Sequence, residues 1–105
     1  MKVKALWQGA LLVALLLMIA APAQAHTLFM TVTDNDDGTV SVEGMYSTGA
    51  VAAATPLRLV DSKGKVLFKG LTDDAGELTF DKPKTGYRII LDGGPGHRVE
   101  EDGPR

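Results

Sequence analysis

The chain has 105 residues, no cysteine, and thirteen acidic against eleven basic side chains. This length suits a single domain, and the lack of cysteine excludes a disulfide framework or a disulfide-linked partner. The slightly acidic balance argues against nucleic acid as a partner, because nucleic acid selects basic surfaces.

The first segment has the layout of a secretory signal peptide. Two lysines within the first four residues precede an almost wholly apolar run over residues 5–21. Pro22 ends this run, and Ala23-Gln24-Ala25 then supplies small residues at the −3 and −1 positions of a cleavage site. The alternative is an uncleaved membrane anchor, since the apolar run is near the lower length limit for a spanning helix.

We therefore predict a helical signal peptide over residues 1–25, with cleavage between Ala25 and His26. The domain would span residues 26–105 and would be periplasmic or otherwise exported, and soluble after cleavage. Its nine basic and thirteen acidic residues would give a net charge of about −4, which suits a protein that handles cations.

The rest of the chain has the signature of an all-β protein. Short runs with a two-residue apolar period alternate with turn signals such as Asp37-Gly38, at a spacing of roughly ten residues. This pattern predicts a small antiparallel β-sandwich, immunoglobulin-like or transthyretin-like, with six or seven strands. The predicted strands are 27–33, 39–46, 57–60, 65–69, 77–80 and 87–91, and we expect residues 100–105 to form a flexible tail.

The predicted cleavage would make His26 the first residue of the exported protein. The α-amine and Nδ1 of an N-terminal histidine can close one chelate ring on a metal ion. His97 is the only other histidine of the chain and ends the loop Asp92-Gly93-Gly94-Pro95-Gly96. In an antiparallel sandwich the first strand and this loop can meet at one end, so three nitrogen donors could form a planar site of the kind that Cu²⁺ or Ni²⁺ accepts.

An oxygen donor from Asp92, Glu100 or Glu101 would raise the coordination number toward that of nickel or cobalt. The alternative is that neither histidine binds a metal. His97 would then be an ordinary surface residue of its loop, and His26 would follow the cleavage site by chance. The unperturbed pKa is about 7.7–8.0 for an α-amine and about 6.5 for a histidine. Both groups must be deprotonated to bind, so metal affinity is expected to fall steeply as the pH drops from about 7.5 to about 5.5.

Catalysis has little support in the sequence. There is no cysteine nucleophile and no serine in a G-x-S-x-G turn. A domain of this size also leaves little room for a substrate cleft. We therefore expect a binding protein and not an enzyme.

Two resemblances sharpen these expectations. The stretch from Leu57 to Val99 resembles carboxypeptidase-regulatory-like, or transthyretin-like, sandwiches, through 64–68 (Gly-Lys-Val-Leu-Phe), 72–80 (Thr-Asp-Asp-Ala-Gly-Glu-Leu-Thr-Phe) and 87–91 (Tyr-Arg-Ile-Ile-Leu). The wider pattern resembles the small exported accessory subunits of energy-coupling-factor-type nickel/cobalt uptake systems. It comprises 26–30 (His-Thr-Leu-Phe-Met), 37–40 (Asp-Gly-Thr-Val), 42–49 (Val-Glu-Gly-Met-Tyr-Ser-Thr-Gly) and 92–97 (Asp-Gly-Gly-Pro-Gly-His).

The second resemblance implies a role in capturing or handing over Ni²⁺ or Co²⁺ to the membrane components of such a transporter. The ligands that it suggests correspond to His26 and His97. Two alternatives remain open at the level of sequence: a periplasmic copper protein that uses the same ligands as a histidine brace, and a metal-free β-sandwich interaction module.

Overall fold

The structure, a computed structural model, describes residues 27–105. The predicted signal helix, its cleavage site and His26 lie outside these residues. The described part is all-β, as predicted, with seven antiparallel strands and no helix. No segment between Thr27 and Arg105 forms a helix that could span a membrane. The strands are β1 (Leu28–Asp34), β2 (Thr39–Tyr46), β3 (Pro56–Val60), β4 (Val66–Leu71), β5 (Glu77–Asp81), β6 (Arg88–Asp92) and β7 (Arg98–Asp102).

The strands form two sheets that face each other across one core. Their orders are β1-β2-β5 and β4-β3-β6-β7, and all pairings are antiparallel. The alternation of apolar and polar residues sends one side of each strand inward, as a half-buried sheet requires. The core joins side chains of both sheets: Leu28, Met30, Val40, Val42, Ala52, Leu57, Leu59, Phe80, Tyr87, Ile89 and Leu91.

A close approach of the chain at Gly44 brings the connection after β2 into the core. A Cβ atom at Gly44 would lie 2.7 Å from Leu91 Cδ2 and 2.9 Å from the Cβ of Ala52. Only glycine fits here without displacing these neighbours. The alanine-rich segment that follows β2 is therefore anchored at Ala52, which is buried.

The end of the chain differs from the expected flexible tail. Residues 98–102 pair in register with β6, from Asp92 opposite Arg98 to Arg88 opposite Asp102. The outer face of β7 carries charged side chains, and ion pairs link Arg88 to Glu100 and to Asp102. Val99 packs against the core, and cross-strand charges support the rest of this strand, which a pattern of apolar alternation does not reveal.

Candidate metal centre

The start of β1 is held on both sides by Ser47. The backbone N–H of Ser47 donates to the carbonyl oxygen of Thr27 at 2.8 Å. The backbone N–H of Thr27 donates to Ser47 Oγ at 3.1 Å. Ser47 follows Tyr46, which lies opposite Leu28 in the β1–β2 register. The residue that directly follows His26 therefore has a defined place next to the end of β2.

The loop between β6 and β7 brings His97 to a defined position. Asp92 Oδ1 accepts the backbone N–H of Gly94 at 3.0 Å. The backbone N–H of Gly93 donates to the carbonyl oxygen of His97 at 2.6 Å, and the N–H of His97 donates to that of Gly94 at 2.9 Å. Gly94 and Gly96 have φ angles of 101° and 79°, which L side chains rarely adopt.

His97 packs against Tyr46, so it lies at the end of the sandwich where β1 begins. The two ring centroids are 5.6 Å apart and the rings are nearly perpendicular, an edge-to-face contact. Gly93 makes this contact possible, because a Cβ atom there would lie 2.7 Å from Tyr46 Oη and 3.3 Å from His97 Cβ. Tyr46 thus connects the clamp around Thr27 with the loop that carries His97.

Nδ1 of His97 is shielded from solvent and has no hydrogen-bond partner among the described residues. A ring nitrogen in this situation costs about 1–3 kcal/mol if nothing satisfies it. Buried polar atoms nearly always have a partner, so this one requires an explanation.

The carboxylate of Asp92 is engaged by its own loop and by a neighbouring strand. Asp92 lies opposite Arg98 in the β6–β7 register, so the two side chains share the outer face of the sheet. Asp92 Oδ2 is 3.9 Å from a guanidinium nitrogen of Arg58, on the same face. The side chain of His97 is directed instead toward Tyr46, on the inner side.

The other two proposed oxygen donors are also placed elsewhere. Glu100 pairs with Arg98 at 2.6 Å and with Arg88 at 3.3 Å on the outer face. Glu101 is four residues beyond His97, which is about 13 Å along a strand. Within residues 27–105 no three histidine or acidic side chains are placed to hold a metal ion together.

Met30 and Met45 lie on opposite faces of the β1-β2-β5 sheet, as the two-residue period of a strand predicts. Met30 is buried in the core. Met45 lies opposite Phe29 on the outer face of the β1-β2-β5 sheet. Tyr46 packs against the core, as expected of an aromatic residue on a strand, whereas no pattern in the sequence points to the contacts of Ser47. Comparisons with known protein families, curated sequences and solved structures found no match to this chain.

Proposed function

We propose that this chain is an exported metal-binding accessory protein that captures Ni²⁺ or Co²⁺ and hands it to membrane components of an energy-coupling-factor-type transporter. The ion is cargo, held by the free amine and imidazole of an N-terminal His26 together with the imidazole of His97. The observation that carries the proposal is the shielded, unpartnered Nδ1 of His97 at the end of the sandwich where β1 begins.

The donor set fits this role chemically. Nitrogen donors from imidazole and amine suit Ni²⁺, Co²⁺ and Cu²⁺, and geometry and availability decide among them in cells. Only two histidines and one terminus hold the ion, so release requires few bonds to break. The choice of nickel or cobalt, and of the transporter as partner, is supported by the sequence resemblance; copper handling is the alternative with the same ligands.

Calorimetric titration with Ni²⁺, Co²⁺ and Cu²⁺ at pH 7.5 tests the proposal. The protein is expressed from the full sequence, and mass spectrometry identifies its first residue. Three proteins are compared: the unchanged chain, a chain with one extra glycine before His26, and His97→Gln. Each change is expected to weaken nickel binding at least tenfold, because each removes one donor group.

Asp92→Asn is the matched control. Asparagine keeps the oxygen that accepts the Gly94 N–H but removes the charge, so the loop should be preserved. We expect unchanged affinity, because the oxygens of Asp92 are already engaged by the Gly94 N–H and by Arg58. Equal binding by all four proteins would place the metal elsewhere, and no binding by any would reject metal handling. Strongest binding of Cu²⁺ with no retained Ni²⁺ or Co²⁺ would favour the copper alternative.

A further inference from the structure

The exposed apolar side chains of the described residues are concentrated on β4. Six large hydrophobic residues between positions 27 and 105 are well exposed, and four of them belong to this six-residue strand. Exposed apolar side chains in this number on one short strand are a common mark of a binding surface. The four are Val66, Leu67, Phe68 and Leu71, with exposed fractions of 41, 38, 36 and 59%.

β4 is also an edge strand. It pairs only with β3 among the described residues and ends the order β4-β3-β6-β7. An edge strand presents unpaired backbone N–H and C=O groups that can accept another strand. The opposite edge, β7, is protected by its charged residues, whereas β4 has one charged side chain, Lys69.

The surroundings of β4 are basic although the described part of the chain is acidic. The β3–β4 hairpin, residues 56–71, contains four cations and a single carboxylate, Asp61. That carboxylate is engaged by the backbone N–H groups of Lys63 and Lys65, both at 2.9 Å. The cations are Arg58, Lys63, Lys65 and Lys69.

The outer side of the hairpin offers room for side chains. An open depression of about 600 Å³ is bordered by Pro56, Arg58, Val66, Lys69 and Leu71. Both apolar and cationic side chains therefore border this depression.

The register of the β3–β4 pair shows which part of β4 has a regular backbone that an added strand could pair with. Four consecutive pairs run without interruption from Pro56–Leu71 to Leu59–Phe68. A β-bulge follows between Leu59 and Val60, so Val66 and Phe68 point to opposite sides of the sheet. Residues 68–71 are therefore the regular part of the free edge.

We propose that β4 receives an extended segment of a partner protein, which adds a strand to the sheet and carries carboxylates between apolar side chains. Backbone pairing would supply affinity, and the alternating side chains specificity. The cations around β4 select the acidic partner. A second copy of β4 is a poor occupant, because it would bring the same lysines to the interface. This docking surface is independent of metal binding.

The test uses synthetic eight-residue peptides with blocked termini that alternate valine with glutamate or valine with lysine. Each is added to the protein, and backbone amide exchange is followed residue by residue with NMR. We expect the valine–glutamate peptide to slow exchange saturably and at least tenfold in those residues of 68–71 whose N–H groups face the free edge, and the valine–lysine peptide to have no effect. Lys69→Glu should weaken binding of the acidic peptide at least fivefold, whereas Arg98→Glu, the same charge change at the opposite edge, should not.

Four results would overturn the proposal. They are no protection of β4 by either peptide, equal protection by both, and equal effects of Lys69→Glu and Arg98→Glu. The fourth is protection of β4 in the absence of peptide. If vesicles of phosphatidylglycerol and phosphatidylcholine protect it, the occupant is a membrane surface. If protection accompanies self-association in sedimentation, the occupant is a second copy of the chain.

Discussion

Ser47 is the residue whose contacts bear most directly on how the start of β1 is positioned. Its hydroxyl and its backbone N–H bind the two backbone groups of Thr27. A residue that is held in this way has less conformational freedom to lose when a neighbouring group binds an ion. Ser47 is thus a positioning residue for the proposed site and not a ligand.

Ser47→Ala is expected to weaken nickel binding roughly fivefold, since one hydrogen bond contributes about 1 kcal/mol. Its backbone N–H still binds Thr27, so the fold should be kept. Nickel affinity is measured by calorimetry and stability by urea unfolding. Ser62→Ala, in the exposed β3–β4 turn, is the control and should change neither quantity. Equal affinity of Ser47→Ala and the unchanged chain would show that the clamp does not position the metal site.

At the scale of elements, Thr72 joins the connection after β2 to the connection between β4 and β5. Its Oγ1 accepts the backbone N–H of Thr55 at 2.8 Å and donates to the carbonyl oxygen of Ala52 at 2.5 Å. Thr72 and Thr55 are the two buried polar residues of the described chain. The connection over residues 47–55 is therefore fixed by specific hydrogen bonds.

Thr72→Val should reduce the free energy of unfolding by about 2 kcal/mol, because it leaves a buried N–H and a buried C=O without partners. Thr79→Val is the matched control, since it makes the same change on the exposed face of β5 and should cost less than about 0.5 kcal/mol. Urea unfolding measures both. Equal stabilities of the two variants would mean that Thr72 does not hold the two connections together.

The sequence predicted the elements whose signal is apolar alternation, and missed those that depend on other interactions. The inward positions of β1, β2 and β6 follow directly from residues such as Leu28, Val40 and Ile89. The bulge in β4 depends on pairing with β3, so a strict two-residue period would wrongly put Val66 and Phe68 on one side of the sheet. Residues 100–102 were expected to belong to a flexible tail, because their charged side chains find ion-pair partners on β6 that no local pattern shows.

For the candidate site, the sequence predicted that the first strand and the 92–97 loop can meet at one end of the sandwich, but not which contacts join them. The structure places His97 and the start of β1 at the same end through Tyr46. No local pattern reveals that Asp92 faces Arg58, because this follows from the sheet register. The ligand role of His26 stays a prediction, since this residue is outside the described part.

At the scale of the whole molecule, three carboxyl groups link stability to pH. The hydrogen bond from the Lys82 ammonium, 2.6 Å away, lowers the pKa of Asp34. The hydroxyl of Thr39 lowers the pKa of Asp37, and the backbone N–H of Lys65 lowers that of Asp61. All three are in turns or at a strand end, where their ionised forms bind N–H or O–H donors.

Because these pKa values are lower in the folded state, ionisation favours folding. The contribution is complete above the ordinary pKa of 3.8 and is lost as the pH falls from there through the lower folded-state values. We therefore expect the urea midpoint to decline below about pH 4.

Asp34→Asn should flatten this decline, whereas Asp74→Asn, at an exposed carboxylate without an ion pair in the described structure, should not. Urea midpoints between pH 6 and pH 2 provide the comparison. An unchanged pH dependence in Asp34→Asn would contradict the role assigned to the Asp34–Lys82 pair.

The most direct test of the central claim is X-ray absorption at the nickel K-edge, measured on the processed protein loaded with one equivalent of Ni²⁺. Multiple scattering from imidazole rings counts the histidines bound to the metal. If His26 and His97 share the ion, the spectrum will show two imidazoles per nickel in the unchanged chain and one in His97→Gln. One imidazole in both proteins would contradict the claim, because His97 would then take no part in binding.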